Sequence, residues 1–144
     1  MAIRRIALVS CVKSKLPTIA RADQLYTSPW FRASRRYAER HADEWYILSA
    51  EYGLLRPGKL VRPYEKTLNN MGQADRMAWG QRVQKKLLAA IPANAEVIIL
   101  AGQRYREHLV PFLLARGNMV PIPMEGLSIG RQLRFLNLSE EAAA

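Results

Sequence analysis

Cys11 is the only cysteine in the 144-residue chain, so no disulfide can close within it. Two histidines, His41 and His108, are too few for a Cys/His metal cage, so neither a metal nor a cofactor is expected. The apolar runs are all far shorter than the ~20 residues that a bilayer-crossing helix needs, and no membrane partner is expected. The opening Met1-Ala2-Ile3-Arg4-Arg5-Ile6 leads into a short apolar run and no small-residue cleavage site. It reads as the approach to a first strand in a cytoplasmic protein. Acidic residues are also scarce: 12 Asp and Glu stand against 22 Lys and Arg, a formal net charge of +10. That imbalance excludes an acidic solvating chain and points to a polyanionic partner.

What remains is ordinary globular material, 49% hydrophobic and 24% charged, with no internal repeat. The length suits a single domain, read as residues 1–139, with 140–144 a fraying tail. Short apolar runs at 3–10, 45–50 and 96–101 have the pattern of strands buried on both faces, and 118–122 offers a short fourth. Ser28 and Pro29 supply a cap and a first-turn proline for a helix over 29–43. Trp79, Val83, Leu87 and Ile91 recur at steps of four in a helix over 73–91. Gly53, Pro57, Gly58 and Pro63 make 51–71 mostly loop and turn. Pro111 predicts a kink or break in a helical stretch that Gly117 ends, and Ser128 caps a last helix carrying Ile129, Leu133 and Leu136. Strands alternating with helices imply an α/β fold, a mostly parallel central sheet of about four strands with helices on both faces.

Ligands of such sheets bind beyond the carboxyl ends of the strands. The first such place is Ser10-Cys11-Val12-Lys13-Ser14-Lys15, whose hydroxyls and ammonium groups can hold a phosphate. It lacks the glycines of a nucleotide-triphosphate loop. Cys11 reads either as a nucleophile favoured by the lysines or as a small buried residue. Tyr26, Thr27 and Ser28 precede a helix N-terminus and can stack a base or face an anion. Arg32, Arg36 and Arg40 stand four apart with Arg35 adjacent, a basic stripe suited to a phosphate backbone or to pairing with Glu39 and Asp43. The first 66 residues hold 13 basic and 6 acidic residues, +7 of the total +10. The next place is Ser49-Ala50-Glu51-Tyr52-Gly53, followed by Tyr64-Glu65. Glu51 and Glu65 are the carboxylates best placed to act as general base or to offset charge on a cationic sugar, and Glu65 can alternatively pair with Arg62 or Lys66. Gly102 permits close approach to a ligand, Gln103 can read a base edge, and Ser128 opens another anion-facing helix start.

Taken together, Tyr52-Gly53-Leu54-Leu55-Arg56-Pro57, Leu60 and Arg62-Pro63-Tyr64 resemble the central signature of the YaaA-like superfamily, and the loop at 10–15 looks like its lysine-bearing first loop. Leu25-Tyr26-Thr27-Ser28, Pro63-Tyr64-Glu65, Ala101-Gly102 with Tyr105-Arg106, and Gly126-Leu127 through Gly130 extend the resemblance toward a compact bacterial branch of uncharacterised domains. The resemblance implies DNA binding and chemistry on modified bases, including removal of 5-hydroxymethyl pyrimidines by N-glycosylases. On that reading Lys13, Lys15, Arg32, Arg35, Arg36 and Arg40 hold phosphates, while Tyr26, Tyr52 or Tyr64 stacks an extruded base. Glu51 or Glu65 assists bond cleavage, and Lys13 is the alternative amine nucleophile of a lyase. DNA is the expected partner, with RNA or free nucleotides as alternatives. A non-catalytic binder and a nucleotide-processing enzyme remain open beside the glycosylase, as does the oligomeric state.

Overall fold

The computed structural model describes residues 3–11 and 14–143, the side chains of 141–143 excepted. In chain order its first half contains β1 (Arg5–Ser10), β2 (Ala20–Arg21), α1 (Ala22–Leu25), α2 (Pro29–His41), β3 (Glu44–Ser49), β4 (Gly53–Leu55) and β5 (Leu60–Val61). A single 3-10 turn (Leu68–Asn70) follows, then α3 (Gln73–Ala90), β6 (Glu96–Leu100), α4 (Gln103–Arg106), α5 (Val110–Ala115) and α6 (Ile129–Ala143). No helix among the described residues is long and apolar enough to cross a membrane.

β1 lies between β3 and β6 and pairs in parallel with both. Side chains alternate across the sheet with the strand period of two. Ile6, Leu8, Tyr46, Leu48, Val97 and Ile99 enter one core, while Ala7, Val9, Ile47, Ile98 and Leu100 enter the other. Both faces are buried, which is why these strands read as unbroken apolar runs rather than alternating ones. The first core is closed by Trp79, Val83 and Leu87 of α3, with Tyr105 and Leu113 from α4 and α5. Phe31 and Ala38 of α2 and Leu136 of α6 close the second. The chain steps from β1 to β3 on one side and later to β6 on the other. Crossovers of one hand that step in opposite directions put their helices on opposite faces.

The fourth strand is β4, antiparallel on β3, in a stretch that reads as loop. Gly53, with φ of 71°, reverses the chain after β3 in a conformation that favours glycine. Residues 118–122, where the sequence predicts a strand, run beside β6 without becoming one. Val97 N donates to Met119 O and Ile99 N to Pro121 O, with a single parallel bridge from Glu96 to Met119. The return bond of a parallel ladder must come from the amide of residue 121, and that residue is proline.

Local signals account for the helices. Ser28 Oγ accepts from Phe31 N at 3.1 Å and Pro29 opens α2. Pro111 stands in the first turn of α5, so the helical stretch breaks between α4 and α5, and Gly117 at φ 96° ends it. Ser128 Oγ accepts from Arg131 N at 3.4 Å at the start of α6.

Candidate functional site

The strand order reverses at β1, and the loops leaving β1 and β6 diverge above that point, where an open α/β sheet forms its ligand crevice. A cavity of about 400 Å³ lies there, with Ser10 from the end of β1 and Gly102 from the end of β6 on its walls. Gly102 N donates to Ser10 Oγ at 3.4 Å, which ties the two strand ends together. Ser14, Ser28 and Asn69 add polar groups, while Trp30, Tyr105 and Ile129 add apolar surface. Trp30 is fixed by a 2.7 Å bond from its indole N–H to Gln132 Oε1, and Gln132 Nε2 donates to Leu127 O. This carries α6 onto the rim opposite the turn that ends in Asn70.

A second cavity, of about 560 Å³, shares the same rim and is lined by Lys15, Tyr64, Glu65, Lys66, Thr67, Asn70 and Met71. The wall between the two is the 3-10 turn, with Asn69 lining one cavity and Asn70 the other. Leu68 is fully buried and roots this wall in the core. Its amide donates to Tyr105 Oη at 3.4 Å, and Thr67 Oγ1 lies 3.4 Å from the same oxygen.

Beneath Lys15 lies a hydrogen-bonded cluster centred on Tyr64. The Tyr64 hydroxyl is 2.8 Å from Tyr26 Oη, 2.8 Å from Ser49 Oγ and 3.4 Å from Cys11 Sγ. One donor and two lone pairs are thereby fully used. Cys11 Sγ also donates to Leu48 O at 3.2 Å, and Ser49 Oγ accepts from Tyr52 N at 3.0 Å. Lys15 Nζ sits 4.5 Å from the Tyr64 ring centroid and 5.8 Å from that of Tyr26, within cation–π range. Burial pushes the Cys11 thiol above its ordinary range, outweighing the lowering by its hydrogen bonds and by Lys15. Burial, and then the neighbouring Cys11, likewise push the Tyr26 and Tyr64 hydroxyls far up. All three therefore hold their protons at neutral pH. Cys11 in this environment is a packed, proton-bearing group rather than a nucleophile.

Most residues singled out in the sequence converge on this rim. Ser10, Ser28 and Gly102 line the crevice, Lys15, Tyr64 and Glu65 line the second cavity, and Cys11, Tyr26 and Ser49 form the floor. Thr27 is held against the first loop by its amide bond to Ser14 O. Tyr52 packs edge-on against Tyr64 at 5.5 Å, beside the turn made by Gly53. Lys13 lies outside the described residues. Glu51 is exposed in the turn joining β3 to β4 and lines neither cavity. Gln103 is exposed on α4 and Ser128 caps α6, also outside both linings. Trp30, Asn69 and Asn70 carry the walls instead. Their sequence signal is faint, an aromatic beside a capping serine and a polar pair in a long loop.

The arginine stripe of α2 is largely occupied. Arg35 donates to Asp23 O at 2.8 Å and pairs with Asp23 and Glu39. Arg36 pairs with Glu140 at 2.9 Å, and Arg40 donates to the Glu140 carbonyl at 3.1 Å. These bonds clip α2 to α6. Of the four, Arg32 and Arg40 have no carboxylate partner among the described residues. Elsewhere, no three His, Cys, Asp or Glu side chains among the described residues group as a metal site.

Comparison with known proteins adds kinship without chemistry. The chain is 27% identical to the uncharacterized protein YfjM of Bacillus subtilis (strain 168), an alignment covering 96% of this chain and 97% of that one. It is also 34% and 35% identical to the putative cysteine ligase BshC of two strains of Thermus thermophilus. Each of those matches covers 81% of this chain but 22% of the Thermus protein, so the chain corresponds to about a fifth of their length. The sequence model of a family of unknown function, DUF6884, matches residues 6–138, and the chain belongs to that family.

Proposed function

We propose that this protein binds a nucleotide of a nucleic-acid strand at the carboxyl rim of its sheet and hydrolyses the N-glycosidic bond of a modified base. The observation that carries the reading is that Lys15, Tyr64 and Glu65 share one cavity beside the switch-point crevice, the crevice bringing hydroxyl, amide and aromatic surface. A cation, an aromatic face and a carboxylate in one hollow are what a nucleotide and its cleavage demand. The +10 charge supports a polyanionic ligand. The resemblance to the YaaA-like superfamily supplies the substrate class, a 5-hydroxymethyl pyrimidine in DNA.

In this mechanism the base leaves the stack and enters the crevice, with Trp30 and Tyr105 as apolar walls and the Asn69 amide as the group that reads its edge. Lys15 and Lys66 hold the flanking phosphates. The C1′–N bond breaks with its electron pair going to the base, and positive charge develops on the sugar. Glu65 offsets that charge or takes the proton of the water that attacks C1′. Glu65 carries this role in preference to Glu51, because only Glu65 lines a cavity containing the proposed cation and aromatic.

The test is base release from oligonucleotides carrying modified pyrimidines. Glu65→Gln should lower turnover about 10²–10³-fold while leaving oligonucleotide affinity close to parental. Glu51→Gln should retain most activity. The reverse result transfers the carboxylate role to Glu51. Oligonucleotide binding by the parent without any base release leaves a non-catalytic binder, and equal affinity for mononucleotides and oligomers leaves a nucleotide enzyme. Trapping of a covalent adduct by borohydride would assign attack to an amine, Lys13 or Lys15, instead of water.

A further inference from the structure

The nucleic-acid strand has to leave the site across some face of the protein, and the charges divide the surface unevenly. Seven of the sixteen arginines are paired with carboxylates among the described residues. Arg4 pairs with Glu44, Arg5 with Glu96, Arg21 and Arg35 with Asp23, Arg36 with Glu140, and Arg76 and Arg104 with Glu107. Arg32, Arg35 and Arg36 share their surface cavity with Asp23 and Glu39, which offset two of its three positive charges. One concave region gathers three cations that carry no such pairing. Arg56, Lys59 and Lys86 have no carboxylate partner among the described residues, and all three are exposed.

Those three side chains line one groove of about 470 Å³ between the edge strand β4 and helix α3, together with Tyr46, Tyr52 and Leu54. Arg56 stands 6.0 Å from the Tyr46 ring centroid, and Lys86 Nζ donates to Tyr52 O at 3.2 Å. Glu44, beside the groove, is held by Arg4 and accepts from Tyr46 Oη at 3.3 Å. The groove adjoins the proposed site: Tyr52 on its wall meets the ring of Tyr64 edge-on, and the Tyr52 hydroxyl donates to Arg62 O. A concave run with cations on its edges and aromatic rings inside suits a narrow polyanion with stacking faces. A membrane surface would need a flat or protruding face.

From this we infer that the β4–α3 groove is the track for a single nucleic-acid strand, its phosphates on Arg56, Lys59 and Lys86, as it runs from the site. This rests on the nucleic-acid reading above but not on catalysis. The experiment is a salt titration of single-stranded oligonucleotide affinity for the parent, for Arg56→Gln/Lys59→Gln/Lys86→Gln, and for Arg36→Gln/Arg40→Gln. Circular dichroism melts would confirm that each variant is folded. The log–log salt slope falls by about 0.7 for each single-strand phosphate contact removed. The groove variant should therefore lose about 2 in slope and about tenfold or more in affinity at low salt, while the α2 variant changes little. If the parent binds and the groove variant matches it, or if the α2 variant takes the loss instead, the track is wrong while the site survives. If the parent binds no oligonucleotide even at low salt, the functional reading fails and the track fails with it.

Discussion

Tyr64 is the residue on which the site's internal order depends. Its hydroxyl satisfies Tyr26, Ser49 and Cys11 at once, and Ser49 in turn accepts the amide of Tyr52 and is itself fully buried. Replacing Tyr64 by Phe keeps the ring under Lys15 but leaves three polar groups short of a partner. The cost of such orphaned groups is about 1–3 kcal/mol. Tyr64→Phe should therefore lower the urea midpoint with an unchanged slope, and a parental midpoint would mean that the cluster contributes nothing net. From the sequence this tyrosine is legible only as an aromatic beside a glutamate, a stacking candidate. Its use as a hydrogen-bond hub depends on Cys11, Tyr26 and Ser49 arriving from three other segments, and no local pattern encodes that meeting. Serine at two strand ends, by contrast, is a readable sign, because a polar residue closing an apolar run marks where the backbone leaves the core.

At the scale of elements, local chemistry settles most boundaries and tertiary pairing settles the rest. The three parallel strands and the helices α2 and α3 follow from apolar runs, from Ser28-Pro29 and from the four-residue spacing of Trp79, Val83 and Leu87. The edge of the sheet does not follow. β4 is three residues long, too short to announce itself, and exists because Gly53 turns it back along β3. The segment after α5 looks equally strand-like, but Pro121 removes the donor it needs. This makes Gly53 the test of the edge. Its φ of 71° disfavours any residue with a Cβ, whereas space is not limiting, since an added Cβ would meet Val83 Cγ2 at 3.6 Å. Gly53→Ala should cost about 1–2 kcal/mol through backbone strain alone. Gly53→Asn should cost less, because Asn tolerates the left-handed region. Equal losses in both variants, measured by thermal unfolding, would point to contact with α3 rather than to the turn.

For the molecule as a whole, the same burial that keeps Cys11, Tyr26 and Tyr64 protonated sets how stability responds to alkali. Burial also raises Tyr37, Tyr46 and Tyr105, so five of the six tyrosines resist ionisation in the fold. In the unfolded chain cysteine gives up its proton near pH 8.5 and tyrosine near pH 10. Above those values the unfolded state binds fewer protons than the native one, so stability falls as pH rises. An opposing effect exists, because loss of positive charge relieves the self-repulsion of a +10 protein. The linkage term dominates. Each proton retained only by the fold steepens the decline by about 1.4 kcal/mol per pH unit, whereas lysines on the surface lose charge in both states alike. Urea midpoints should thus be level between about pH 7 and 8.5, decline gently to about 9.5 and fall steeply beyond about 10. Tyr64→Phe should start lower yet descend less steeply, by about one proton, because its unfolded chain has one phenol fewer to ionise. A stability that climbs between pH 9 and 11 would mean that repulsion outweighs the buried hydroxyls, and the cluster at the rim would then be open to solvent.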